Sequence, residues 1–176
     1  MVKSIKYKKI FIAGHRGMVG SALVKYFKNQ GAKKLILVSR KKLDLLNQNK
    51  VNKFIKYKKP DVIINCAGRV GGILANSKYP VEFLNINIMI QLNLINAAYQ
   101  NKIQNFINLG SSCIYPKKAK QPIKEDYLLS SSLEKTNEAY ALAKIIGLKA
   151  CEYYNQQYGT SYITLMPCNL YGPNDN

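Results

Sequence analysis

Apolar residues fall in two kinds of block along this chain. Short unbroken runs lie at Lys9–Ala13 and at residues 35–38, 61–67, 103–109 and 161–166, each bounded by glycine, proline or polar residues. Runs of that length and composition read as strands buried on both faces, as in a parallel sheet. Between them the apolar positions recur at helical spacing. Val19, Leu23, Val24 and Phe27 predict a helix over residues 18–30, stopped by Gly31, and Val51, Phe54 and Ile55 mark a lysine-rich helix ended by Pro60. Residues 80–101 predict a long helix with Phe83, Leu84, Ile88, Leu92 and Ile95 spread around it, which implies burial beyond one sheet face. A second long helix is expected over residues 138–158, while residues 68–76 read as a loop facing the ligand cleft and 116–137 as a polar loop. No repeat of solenoid period occurs. The alternation predicts an α/β fold, a doubly wound and mostly parallel sheet with right-handed crossovers.

Composition narrows the setting. The 176 residues suit one well-cored domain, and 47% hydrophobic with 20% charged residues excludes a disordered chain. The net charge of +18 raises the question of nucleic acid, but the lysines are scattered over nearly every predicted surface segment. With no zinc-finger spacing, no RNA-binding aromatic motif and no heptad repeat, neither nucleic acid nor a membrane is the expected partner. No apolar run reaches about 18 residues and no signal peptide precedes the first strand. Cys66, Cys113, Cys151 and Cys168 are widely spaced and His15 is the lone histidine, so free thiols in a cytoplasmic protein are expected, and no metal site.

Gly14-His15-Arg16-Gly17-Met18-Val19-Gly20 lies between a predicted strand and a predicted helix. Glycines there permit a tight turn and let a pyrophosphate approach the helix N-terminus. The spacing is GxxGxxG, which alone also fits ordinary turn glycines. A binder of NAD places a carboxylate at the end of the second strand to hold the ribose 2′-hydroxyl. This strand ends Val38-Ser39-Arg40, and a guanidinium suits a 2′-phosphate. With Arg16 as a second cation, the reading is NADP(H). Asp44 then either meets the adenine edge or caps the next helix.

Tyr140 and Lys144 stand four apart on one helix face. A phenol of ordinary pKa near 10 is a poor acid–base catalyst, and a neighbouring ammonium with a cationic nicotinamide is expected to lower it. In a chain with 13 tyrosines this spacing also arises by chance. Leu109-Gly110-Ser111-Ser112-Cys113 ends the fourth strand, where ligands of such sheets bind. Ser111 is placed to polarise a substrate carbonyl, and Ser112 to support backbone or cofactor. Cys113 reads either as a small buried hydrophobe or as a thiolate base.

The glycine loop, serine, tyrosine and lysine in this order resemble the extended short-chain dehydrogenase/reductase family. The chain is similar, more narrowly, to its GDP-L-fucose synthase branch. Val70-Gly71-Gly72-Ile73, Gly110-Ser111-Ser112-Cys113-Ile114-Tyr115-Pro116, Lys120-Gln121-Pro122 and Asn169-Leu170-Tyr171-Gly172-Pro173 carry that resemblance beside the loop and the tyrosine–lysine pair. It implies a Rossmann-type NADP-binding domain and a two-stage reaction on GDP-4-keto-6-deoxy-mannose. Cys113 would remove the C3 and C5 protons; NADPH would then reduce C4 while Tyr140 protonates the alkoxide, assisted by Ser111 and Lys144. Leu109, Gly110, Ser111, Ser112, Pro167, Cys168, Asn169 and Leu170 would line the cofactor. A homodimer through the two long helices is implied too. The family's partner acid, a histidine beyond the Tyr-Gly-Pro segment, has no counterpart here. Residues 1–176 are therefore expected to be one NADP-binding domain without the C-terminal substrate domain, inactive alone.

Overall fold

A computed structural model of the chain describes residues 5–175. The elements follow the chain as β1 (Lys9–Ala13), α1 (Met18–Asn29), β2 (Lys34–Ile36), α2 (Gln48–Lys58), β3 (Val62–Asn65), α3 (Ile73–Lys78), α4 (Pro80–Gln100), β4 (Asn105–Leu109), α5 (Glu138–Tyr158) and β5 (Ser161–Leu165). The strands form one sheet in the order β2-β1-β3-β4-β5, every pairing parallel. Strand order therefore reverses between β1 and β3, the switch point at which open α/β sheets open a ligand crevice beyond their strand ends.

Local chemistry explains the boundaries. Asn47 starts α2 by accepting the Lys50 N–H on its side chain at 2.9 Å. Pro80 opens α4 at a position where its missing N–H costs nothing. Gly159, at φ 65°, closes α5 in the left-handed conformation. The expected strand over 35–38 is shifted and shortened, because Val38 turns out of the sheet to line a cavity. The stretch read as a loop over 68–76 contains the start of α3, a six-residue helix capped by Gly72. The segment 116–137 stays irregular except for short 3-10 turns at Glu125–Tyr127 and Lys135–Asn137.

Strand register divides the core in two. Phe11, Ile63, Phe106 and Tyr162 sit side by side on one face and pack under α2, α4 and α5, with Val51, Ile55, Leu94, Ile95 and Cys151. On the other face Ile10, Ile12 and Ile64 pack against Leu23, Val24 and Phe27 of α1. That second layer stops short. Ile163 is 53% and Leu165 49% exposed on β5, which has no strand beyond it among the described residues.

Candidate functional site

The glycine loop folds as its sequence suggests, with each glycine serving a different purpose. Gly14 sits at φ 75°, and a Cβ on it would lie 2.6 Å from the Ala67 nitrogen, so only glycine lets β1 turn this close to β3. A Cβ on Gly20 would overlap the Gly14 carbonyl oxygen, so Gly20 lets α1 pack on the loop. Gly17 caps α1 without any side-chain bond, and the first turn holds no acidic residue. The first amides of the helix and its positive dipole end are thereby left for an anion.

A cavity of about 500 Å³ opens there. Gly14, His15, Arg16, Gly17, Met18 and Val19 form one wall and Val38, Ser39, Arg40, Leu43 and Asp44 another. Two guanidiniums thus face a space next to a helix N-terminus. Asp44 accepts the Leu46 N–H at 3.1 Å, and with Asn47 as the α2 cap, Asp44 is left on the cavity wall. His15 is held below its ordinary pKa by burial and by Arg16. Cys66, Ala67, Gly68, Arg69 and Val70 supply a third wall, of which the sequence pointed to the loop from Gly68 but not to Cys66 and Ala67. Their signal is position alone, just past the carboxyl end of β3. Arg69 lies 5.7 Å from the Tyr79 ring centroid and 5.3 Å from that of Phe83, so the guanidinium is stacked in place.

The second cluster gathers at the end of β4. Ser111 caps a short 3-10 turn (Ser112–Ile114), its hydroxyl oxygen 3.4 Å from the Cys113 N–H. Tyr140 lies close enough to the same hydroxyl for it to pull the phenol's pKa down. Lys144 is buried, donates from Nζ to the Leu109 carbonyl at 2.6 Å and stands 5.6 Å from the Tyr140 ring centroid. Ser111, Cys113, Tyr140 and Lys144 are therefore brought together as the sequence suggested. Phe83 meets the Tyr140 ring edge-on at 6.3 Å.

On balance the cluster's own side chains do not lower the Tyr140 phenol, and at Cys113 they favour the buried-hydrophobe reading over the thiolate. Burial pushes Tyr140 up to about 12, opposed by Ser111, so the phenol is not poised as a phenolate. Burial likewise raises Cys113, with Ser111 and Lys144 acting the other way, and the group is a thiol at neutral pH. Lys144 is lowered to about 8 by burial, with Cys113 and Cys66 opposing. Tyr140 and Cys113 therefore keep their protons at neutral pH, while Lys144 gives its proton up more readily than a free amine.

Leu109, Gly110, Ser111, Ser112, Lys144, Pro167, Cys168, Asn169 and Leu170 do not form part of the cavity wall, and neither does Gly20. They lie along the neighbouring strand ends, where Gly110 N–H donates to the Leu165 carbonyl at 2.7 Å and Ser112 N–H to the Pro167 carbonyl at 3.2 Å. Cys66 joins the two regions: it lines the cavity, and Lys144 lies close enough to act on its thiol. All four cysteines are free.

A glycine-lined cradle at the switch point, with a serine–tyrosine–lysine cluster at the neighbouring strand ends, is the layout of a Rossmann-type, nucleotide-binding α/β fold. Residues 10–176 match the NAD dependent epimerase/dehydratase family, and the chain belongs to it. GDP-L-fucose synthase of Escherichia coli K12 is 51% identical over 169 residues, which cover 96% of this chain and 53% of that protein. GDP-L-fucose synthase 1 of Arabidopsis thaliana is also 51% identical, over 98% of this chain and 54% of its own length. Among solved structures, a GDP-mannoheptose C4 reductase from Campylobacter jejuni with NADP bound superposes with a TM-score of 0.93 at 42% identity, covering 97% of this chain and 54% of the other. The chain spans about half the length of the curated relatives it matches.

Proposed function

We propose that this chain carries the cofactor and proton-transfer half of an NADPH-dependent 4-keto reductase acting on a GDP-linked 6-deoxy sugar, of the GDP-L-fucose synthase type. The observation that carries the reading is Tyr140 with Lys144 over its ring and Ser111 close by, at the strand ends next to a cavity with Arg16 and Arg40 in its walls. The cradle fits a dinucleotide: Gly14 and Gly20 let the loop close on its own backbone where a Cβ would clash, leaving the α1 amides to a pyrophosphate, and the two arginines suit a 2′-phosphate. Bound NADPH supplies the hydride.

Each residue then has a task at a stated atom. Ser111 Oγ hydrogen-bonds the C4 carbonyl and holds it beside the tyrosine. Tyr140, protonated because it is buried, gives its hydroxyl proton to the oxygen that becomes the C4 alkoxide. The phenolate left behind is stabilised by Lys144, whose ammonium is already held on the Leu109 carbonyl. Reduction is the step this geometry supports best. For 3,5-epimerisation Cys113 must first lose its proton, and burial opposes that.

Assembly follows from the outer faces of the long helices. Met89 and Leu92 on α4 and Leu142, Ile146 and Tyr153 on α5 are exposed, and the two helices pack against each other. A homodimer through this pair is part of the reading, and no helix among the described residues is long and apolar enough to cross a membrane. Fluorescence titration with NADPH and NADH tests the core claim. Binding of NADPH at least tenfold tighter is expected, and little turnover of GDP-4-keto-6-deoxy-mannose by this chain alone. Equal or absent binding of the two cofactors sinks the proposal.

A further inference from the structure

Gln91 of α4 is a fully buried amide between the sheet and α5. A buried amide is costly unless paired, so its partners are informative. Its carbonyl oxygen accepts from Asn108 Nδ2 at 3.0 Å. Its nitrogen donates to the Asn87 carbonyl at 3.0 Å and to the Ala143 carbonyl of α5 at 2.9 Å. Asn108 immediately precedes Leu109, and Ala143 immediately precedes Lys144. One amide therefore grips the backbone neighbours of both partners in the Lys144–Leu109 hydrogen bond.

Two further features show the fit is built in. A Cβ on Gly147 would overlap Gln91 Oε1, so α5 carries a notch where this side chain enters. From Asn108 the chain of bonds continues: Asn65 Nδ2 donates to Asn108 Oδ1 at 3.0 Å, and Asn65 Oδ1 accepts the Ala67 N–H at 3.1 Å. Ala67 lines the cavity. On the other side, Asn87 holds Arg69 of the same wall through its side chain. A fully paired buried network favours a single arrangement of the elements it joins.

We propose that Gln91 is a positioning residue for Lys144: it fixes α5 against the carboxyl end of β4 and, through Asn108 and Asn65, ties that placement to the cofactor-cavity wall. The proposal deepens the reductase reading, and rests on it for the role given to Lys144. The groups facing Lys144 are Cys66 at the end of β3, Cys113 after β4 and Tyr140 on α5. All three are raised above their ordinary values, so between pH 6 and about 9 the lysine titrates with the least interference from them.

The test replaces Gln91 by methionine, which keeps length and volume but makes no amide bonds. Lysine labelled with 13C at Cε in the full chain reports the Lys144 titration by NMR, its signal assigned by loss in Lys144→Arg. In Gln91→Met the midpoint is expected to rise by about half a pH unit or more as the ammonium gains solvent. A midpoint equal to that of the unaltered chain overturns the proposal. Should Gln91→Met fail to fold, the pair Gly147→Ala with Gln91→Ala decides, since the smaller side chain makes room for the added methyl. It is expected to fold, melting lower because the Asn108 amide and the Ala143 carbonyl lose their partner, and to keep the displaced titration; a normal titration overturns the proposal. NADPH titration of the unaltered chain runs alongside, and failure there removes the reductase reading without touching the positioning result.

Discussion

The side-chain amide of Asn87 holds Arg69 by both of its backbone polar groups, accepting the N–H at 2.9 Å and donating to the carbonyl at 3.0 Å. The same nitrogen donates to the Phe83 carbonyl at 2.7 Å. A loop in the cavity wall is thereby fixed to α4 as firmly as a strand would fix it. Asn87→Ala leaves these groups unpaired, and a stability loss of about 2 kcal/mol in urea unfolding is expected. NADPH affinity is expected to fall about tenfold as Arg69 loosens. Undiminished affinity would show that the third wall does not touch the cofactor.

Arg40 separates the two nicotinamide cofactors. Arg40→Ala is expected to weaken NADPH by about 10- to 100-fold while leaving NADH within about twofold, because only the 2′-phosphate loses a partner. Fluorescence titration of both cofactors reads this directly. Equal losses for the two would assign Arg40 to the shared part of the dinucleotide.

Lys144 carries its charge at a cost. Its pKa is lowered from 10.5 to about 8 in the folded chain, so the unfolded chain holds more protons between those values, and this group's contribution to stability rises with pH there. Below pH 8 the buried ammonium is fully charged and destabilising. Lys144→Met is therefore expected to melt higher than the unaltered chain at pH 7, with the advantage shrinking as pH climbs from 8 to 10.5. An advantage that is absent at pH 7 would mean the Leu109 bond compensates the burial. Cys66, raised to about 12, acts in the opposite sense above pH 9, which is why the difference between the two chains is the quantity to follow.

Thiol chemistry gives a further check. Cys168 is exposed, Cys113 and Cys66 are half-buried and Cys151 is buried. Iodoacetamide at pH 7.5 is expected to label Cys168 first, with Cys113 slow because burial keeps it a thiol. Rapid labelling of Cys113, read by mass spectrometry, would restore it as a poised base.

Exposed apolar residues on α4 and α5 predict a dimer. Light scattering of the unaltered chain is expected to give twice the monomer mass, and Leu142→Glu with Ile146→Glu to give the monomer. A monomer from the outset would leave that helix face to another occupant.

The order of elements and the first two cavity walls were legible because their signals are local. Unbroken apolar runs can hardly be anything but buried strands, and Gly14 and Gly20 sit where a Cβ has no room. The end of β2 was less legible, since Leu37 and Val38 keep a strand-like composition after the pairing has stopped. α3 escaped notice because glycines lead straight into six residues with no periodicity to read. Cys66 and Ala67 escaped because no motif marks them; only the reversal of strand order brings them beside the glycine loop. The directions of the Tyr140 and Cys113 shifts were illegible for a related reason: spacing shows which charges are near, but not how much water has been excluded.

The bare ledge beside β5 has a consequence for the catalytic end of the sheet. Ile163 and Leu165 lie on the strand that delivers Pro167 to the Ser112 amide. Left uncovered, they make the chain sticky along one edge, and greasy edge strands invite association. Any polypeptide that roofs this ledge would press on the same few residues that steady the serine turn. Sealing the sheet and tuning the reactive cluster would then be one mechanical act.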